Sequence, residues 1–179
     1  MQFKDYLLNL PTYRPPKAAG DGAGPLIRLG ANENPLGPSP KAVAAMQSTL
    51  AGVNRYPDPG SWPLRAALGA HYDLAPEQIL PTNGSDEMIF MLCLAFLREG
   101  DEAVMADGSF ISYSMRTLGM GGQPIRVPLR DYVHDLDAMA DAITDRTRLI
   151  LVCTPNNPTG TAVRRAELES FLDHVPSDV

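Results

Sequence analysis

The sequence predicts an α/β fold: a mainly parallel sheet with helices on both faces, preceded by an N-terminal arm. The first observation behind this is rhythm. From Asp101 onward, short apolar runs alternate with segments of helical length, the pattern of βαβ units. The second is that these runs are mainly apolar, Ala103–Ala106 and Leu149–Cys153 without a break, as strands of a sheet covered on both faces are. The third is that polar, glycine-bearing turns at 82–86, 107–110 and 154–160 all fall beyond the carboxyl ends of the expected strands. Ligands collect at that rim in open parallel sheets.

Bulk composition narrows the partners. The 179 residues are 44% hydrophobic and 20% charged, as in an ordinary globular protein, with room for one sizeable core. A net charge of −6 gives no electrostatic footprint for nucleic acid, so a small molecule is the expected ligand. The longest apolar run, Met88–Leu97, is ten residues, about half of a membrane span. The N-terminus has too short an apolar core for a signal peptide, and Cys93 and Cys153 read as reduced core residues of a cytoplasmic protein. His71, His134 and His174 are scattered among polar neighbours, so no metal site is expected. Glycine and proline together number 15 + 17 = 32 without a regular period, so they punctuate short elements rather than mark repeats.

Taken in order, residues 1–30 read as an arm, with Tyr13-Arg14-Pro15-Pro16 and the Gly20–Gly24 run favouring extended and turn conformations. Ile27–Leu29 is a brief extended segment leading to a dense polar turn, Asn32-Glu33-Asn34-Pro35-Leu36-Gly37. Ser39 and Pro40 start a helix, as hydroxyl cap and first-turn proline, and Gly52 ends it. Ser61 and Pro63 start a second helix carrying Leu64, Leu68 and Tyr72 on one side. A strand end at Ile79-Leu80 meets the turn Thr82–Ser85, which opens a helix with Asp86 and Glu87 in its first turn. Gly84 lets the backbone turn there, and the free amides and dipole of the first helical turn suit a phosphate. A buried helix capped by Asn83 or Ser85, with two acids favouring its dipole, would read the same way. Strands follow at 102–106, 124–128 and 148–153, and helices at 109–118, 136–143 and 164–174. The domain reading is an arm and first helix over 1–50, then an incomplete ligand-binding domain over 51–179.

Four segments share one pattern. Asn32–Gly37, Arg55-Tyr56-Pro57, Asn83-Gly84-Ser85-Asp86-Glu87 and Pro155-Asn156-Asn157-Pro158-Thr159-Gly160 stand in the order and spacing of the class I/II aminotransferases. The chain resembles these fold-type I, pyridoxal-phosphate enzymes, and within them the histidinol-phosphate aminotransferases. The resemblance implies that Gly84, Ser85 and Asp86 hold the phosphate of pyridoxal 5'-phosphate. It implies that Phe110 stacks on the pyridine ring and that the Asn157 amide donates to the ring's phenolic oxygen. Tyr56 would reach the phosphate of the neighbouring subunit in a homodimer, and Tyr13 and Asn32 would lie near the substrate. Core, turn or surface roles are the alternatives for these side chains. Two departures affect local backbone shape: Gly108 where the family has proline, and Pro16 where it has glycine.

The resemblance also implies residues that are not found. The family's Schiff-base lysine lies well past the Asn-Pro-Thr-Gly turn, yet the lysines here are Lys4, Lys17 and Lys41. No catalytic residue is therefore assigned, and the chain reads as the N-terminal half of an aminotransferase. The implied reaction is transfer of an amino group from a small-molecule donor, histidinol phosphate, to a 2-oxo acid in histidine biosynthesis, with no nucleic acid or membrane involved. A phospho-amino-acid decarboxylase, an aromatic aminotransferase and a non-catalytic dimerisation partner are the competing readings.

Overall fold

The computed structural model describes residues 2–8, 10–11 and 30–179. Tyr13, Pro16 and the expected extended segment at 27–29 lie outside them. The chain divides into two compact units, Met1–Thr12 with Thr82–Val179, and Tyr13–Pro81. That division falls after Pro81, while the sequence reading divides the chain after residue 50.

In the second of these units, α2 (Pro40–Thr49) continues into a 3₁₀ turn, Leu50–Gly52, and is followed by α3 (Trp62–Tyr72). Both carry the expected proline in their first turn. Ser39 is not a side-chain cap, and neither is Ser61. Asp58 takes that role for α3, its carboxylate accepting from the amides of Gly60 (2.9 Å) and Trp62 (2.8 Å). Of the residues expected on one side of α3, Leu64 and Tyr72 are exposed. A 3₁₀ turn at Pro76–Gln78 folds back on α3, where Arg65 Nε donates to the Pro76 carbonyl at 2.8 Å. Ile79-Leu80 does not form a strand: no sheet partner reaches it among the described residues.

The larger unit holds α1 (Asp5–Leu8), α4 (Gly84–Phe96), β1 (Glu102–Asp107), α5 (Ile111–Gly119), β2 (Gln123–Pro128), α6 (Leu136–Asp141), β3 (Thr147–Leu151) and α7 (Arg165–Leu172). The three strands pair in parallel in the order β2-β1-β3, so β1 is central. Strand side chains alternate between faces. Ala103 and Met105 pack with Leu151 against Ile89 and Cys93 of α4 and Leu97 just past its end, with Phe110 and Tyr113 alongside. Val104 faces the other way, with Val127, against Leu136, Met139 and Phe171 of α6 and α7. Helices therefore cover both faces, as the apolar run of the central strand, Ala103–Ala106, demands. Cys93 is fully buried, while Cys153 is only half-buried, at the start of the turn after β3.

A carboxylate is built into this frame. Glu102, at the head of β1, is 2% exposed. Its carboxylate accepts from Thr144 Oγ1 (2.6 Å) and Arg146 Nε (2.9 Å). The Thr144 hydrogen bond, and then Arg146, hold it below the usual carboxylate range.

Candidate functional site

The turn leading into α4 is shaped by Gly84. Its φ of +76° lies in the left-handed region, which glycine enters without steric cost. Its amide donates to the Thr82 carbonyl at 2.8 Å, and Thr82 Oγ1 donates to the Gly84 carbonyl at 3.0 Å. Neither Asn83 nor Ser85 caps the helix with its side chain; instead the Glu87 carboxylate accepts from the Asn83 amide. The amides of Ser85 and Asp86 have no acceptor among the described residues. A Cβ added at Gly84 would have no atom within 4 Å, so the approach to those amides is open.

An acid in this turn would oppose an anionic ligand, and the structure engages its charge. Asp86 forms an ion pair with Arg116 of α5. Arg116 first, and then Ser112, hold the Asp86 carboxyl below its ordinary range. The carboxylate charge is thus matched by a guanidinium, leaving the two free amides and the helix dipole to favour an anion.

Phe110 follows the turn at the end of β1. It sits at the N-cap of α5, half-buried, packed on the α4 cluster and edge-to-face with Tyr113 at 5.8 Å between ring centres. Burial, with Cys153 beside it, pushes Tyr113 up to about 12. Gly108 has a φ of +86°, which proline cannot adopt, so the backbone here departs from the turn a proline would make. The next side chain, Ser109, has a buried Oγ with no hydrogen-bond partner. A buried hydroxyl left without a partner costs free energy until a ligand or water completes it.

The turn after β3 carries cis peptide bonds before Pro155 and Pro158. Asn157 is half-buried there, and no side-chain bond engages it among the described residues. Its neighbour Asn156 is 3% exposed and donates from Nδ2 to the Gly108 carbonyl (3.3 Å) and to Thr159 Oγ1 (2.8 Å). The turns after β1 and β3 are therefore directly joined; Phe110 of the first packs on the cluster that includes Ile89 and Cys93 of α4, and the Asp86–Arg116 pair ties α4 to α5. Asn32 and Tyr56 belong to the other compact unit, where both are exposed, Tyr56 at 91%. Tyr13 lies outside the described residues.

Sequence reasoning missed Asn156 and its buried partner His134. The signal available was the doubled asparagine before Pro158, of which one amide must bond within the protein if the turn is to be fixed. A separate cleft of about 540 Å³, lined by Arg130, His134, Asp135, Glu167 and Ser170 among others, includes none of the residues of the three turns.

A parallel sheet with an anion-ready helix start and adjoining aromatic and asparagine-bearing turns defines a class. Residues 24–178 match the family "Aminotransferase class I and II", and the chain belongs to that family. It is 45% identical to a histidinol-phosphate aminotransferase of Brevibacillus brevis over 100% of this chain and 50% of that one. It is also 47% identical to an aromatic amino acid aminotransferase of Streptomyces avermitilis, over 97% of this chain and 48% of that one. The fold matches the crystal structure of histidinol-phosphate aminotransferase from Sinorhizobium meliloti in complex with pyridoxal-5'-phosphate, with a TM-score of 0.79 and 26% identity, covering 82% of this chain and 40% of that one. The chain spans about half the length of the curated relatives it matches.

Proposed function

We propose that the full-length protein is a pyridoxal-phosphate aminotransferase acting on histidinol phosphate and 2-oxoglutarate in histidine biosynthesis. The observation that carries this is the start of α4, where Gly84 at φ +76° presents the unbonded amides of Ser85 and Asp86 to an open approach. Those amides would hold the cofactor phosphate, with Arg116 offsetting the Asp86 charge. Phe110 would stack on the pyridine ring and exclude water from one face, and the free amide of Asn157 would donate to the phenolic oxygen. The cofactor, when bound, supplies the electron sink that transamination needs.

This reading also takes residues 51–179 as part of the cofactor-binding domain and Tyr56 as reaching a phosphate across a homodimer. It puts Tyr13 and Asn32 beside the substrate and the enzyme in the cytoplasm. The exposure of Tyr56 fits a residue that serves a second copy. The family's Schiff-base lysine would stand well past the Asn-Pro-Thr-Gly turn, and residues 161–179 hold no lysine. Among the described residues no helix is long and apolar enough to cross a membrane.

A second reading, aromatic amino acid transamination, is favoured by the Streptomyces relative at 47% identity. Turnover of the full-length protein with histidinol phosphate, tyrosine and phenylalanine separates the two. Asn157→Ala in that protein should lower turnover by about tenfold with little change in unfolding temperature, because it removes one ligand hydrogen bond. Wild-type turnover in that variant would remove Asn157 from the site.

A further inference from the structure

His134 has no part in the chemistry above, yet it is 6% exposed. Its Nε2 lies 3.2 Å from Asn156 Oδ1. The orientation of the Asn156 amide is fixed by its other partner, since the Gly108 carbonyl can only accept and so faces Nδ2. Oδ1 therefore faces His134, and Nε2 carries the proton that it donates. Nδ1 is buried without a partner.

The segment bearing His134 is itself held. Arg130 and Val133 exchange amide–carbonyl bonds at 2.9 Å each way, with Asp131 and Tyr132 at φ 49° and 64° between them, the signature of a type I′ turn. The Tyr132 carbonyl accepts from Thr161 Oγ1 at 2.5 Å. The turn after β3 is closed on itself by Asn156 N to Thr161 O and Gly160 N to Asn156 O, both 2.7 Å.

We propose that His134 is a positioning residue: through Asn156 it clamps the Pro155–Thr161 turn onto the Gly108–Phe110 turn, and so sets where Asn157 stands relative to Phe110. The role toward a ligand rests on the proposed function; the clamp does not. In either case a nitrogen–hydrogen donor must occupy the position of Nε2, because without it the buried Asn156 Oδ1 loses its partner.

The test uses the full-length protein and two variants. His134→Leu keeps an apolar volume but removes the donor, while His134→Gln keeps an amide donor of similar reach. In the cofactor-free protein, hydrogen exchange over residues 154–163 should be about tenfold faster in the Leu variant and within about twofold of wild type in the Gln variant. The dissociation constant for pyridoxal phosphate should follow the same order, about tenfold weaker for Leu and restored by Gln. If the Leu variant does not fold, His134→Met replaces it, since Met also lacks a donor, adapts its packing to the site and carries the same expectation. Unchanged exchange in the donorless variant overturns the clamp, as does equal loss in the Leu and Gln variants. Faster exchange with unchanged cofactor affinity overturns the positioning role. A wild-type protein that takes up no pyridoxal phosphate overturns the proposed function, and the exchange comparison still decides the clamp.

Discussion

Replacing Gly84 with alanine separates what the start of α4 does for the fold from what it does for a ligand. An L side chain held in the left-handed region costs about 1–2 kcal/mol. Removing glycine's freedom from the unfolded chain returns about 0.4–1 kcal/mol. The new Cβ meets nothing within 4 Å, so no overlap is added. The net loss lies between roughly zero and 1.6 kcal/mol, a shift of a few degrees at most in unfolding temperature. The ligand side is larger. If residue 84 relaxes to negative φ, the Ser85 and Asp86 amides are re-aimed, and each hydrogen bond to a charged acceptor is worth about 1.5–3 kcal/mol. Losing one weakens phosphate binding roughly tenfold to hundredfold. Gly119→Ala is the control, because Gly119 ends α5 without a positive φ and its added Cβ also meets nothing. That change should leave affinity alone and stabilise by up to about 1 kcal/mol. Calorimetric titration of the full-length variants with pyridoxal phosphate, beside thermal unfolding, reads both quantities. Wild-type affinity in Gly84→Ala would refute the reasoning, and so would a gain in stability equal to that of the control.

Acid should expose the charge at the head of β1. The folded-state pKa of Glu102 is lowered from its ordinary 4.5, so its contribution is fully present above that value and is lost as pH falls through the folded pKa. Denaturant unfolding from pH 6 to 3 should therefore show Glu102→Gln losing less stability than wild type; parallel curves would count against the assignment. Met139 is fully buried between β1, α6 and α7, and Met139→Ala should cost about 2–5 kcal/mol by the same assay, while a loss below 1 kcal/mol would mean that α6 does not seal that face.

The parts of the fold legible in the sequence are those set by neighbours along the chain. Apolar runs at 102–106, 124–128 and 148–153 became strands at Glu102–Asp107, Gln123–Pro128 and Thr147–Leu151, since such runs find stability only between two covering layers. Gly84 likewise declared its turn, because few other residues tolerate that backbone. Ile79-Leu80 looked like a strand but has no pairing strand here, and pairing is a property of distant residues. Ser61 and Asn83 do not cap their helices for a related reason: Asp58 and Glu87 offer carboxylates that accept the backbone amides instead. His134 sits among polar neighbours in sequence, and only the return of the chain after β3 buries it against Asn156. Which amide of the doubled asparagine turns inward is likewise decided by Gly108, nearly fifty positions away, and no local pattern announces that.

The central place of β1 has one more consequence. Hydrogen-bonded on both edges, it is the strand least free to shift, and the Gly108–Phe110 turn is its direct extension. Any rearrangement that adapts this protein to a differently shaped molecule must then come from the flanks, in the turn after β3 or at the start of α4, with the middle serving as the fixed reference against which they move.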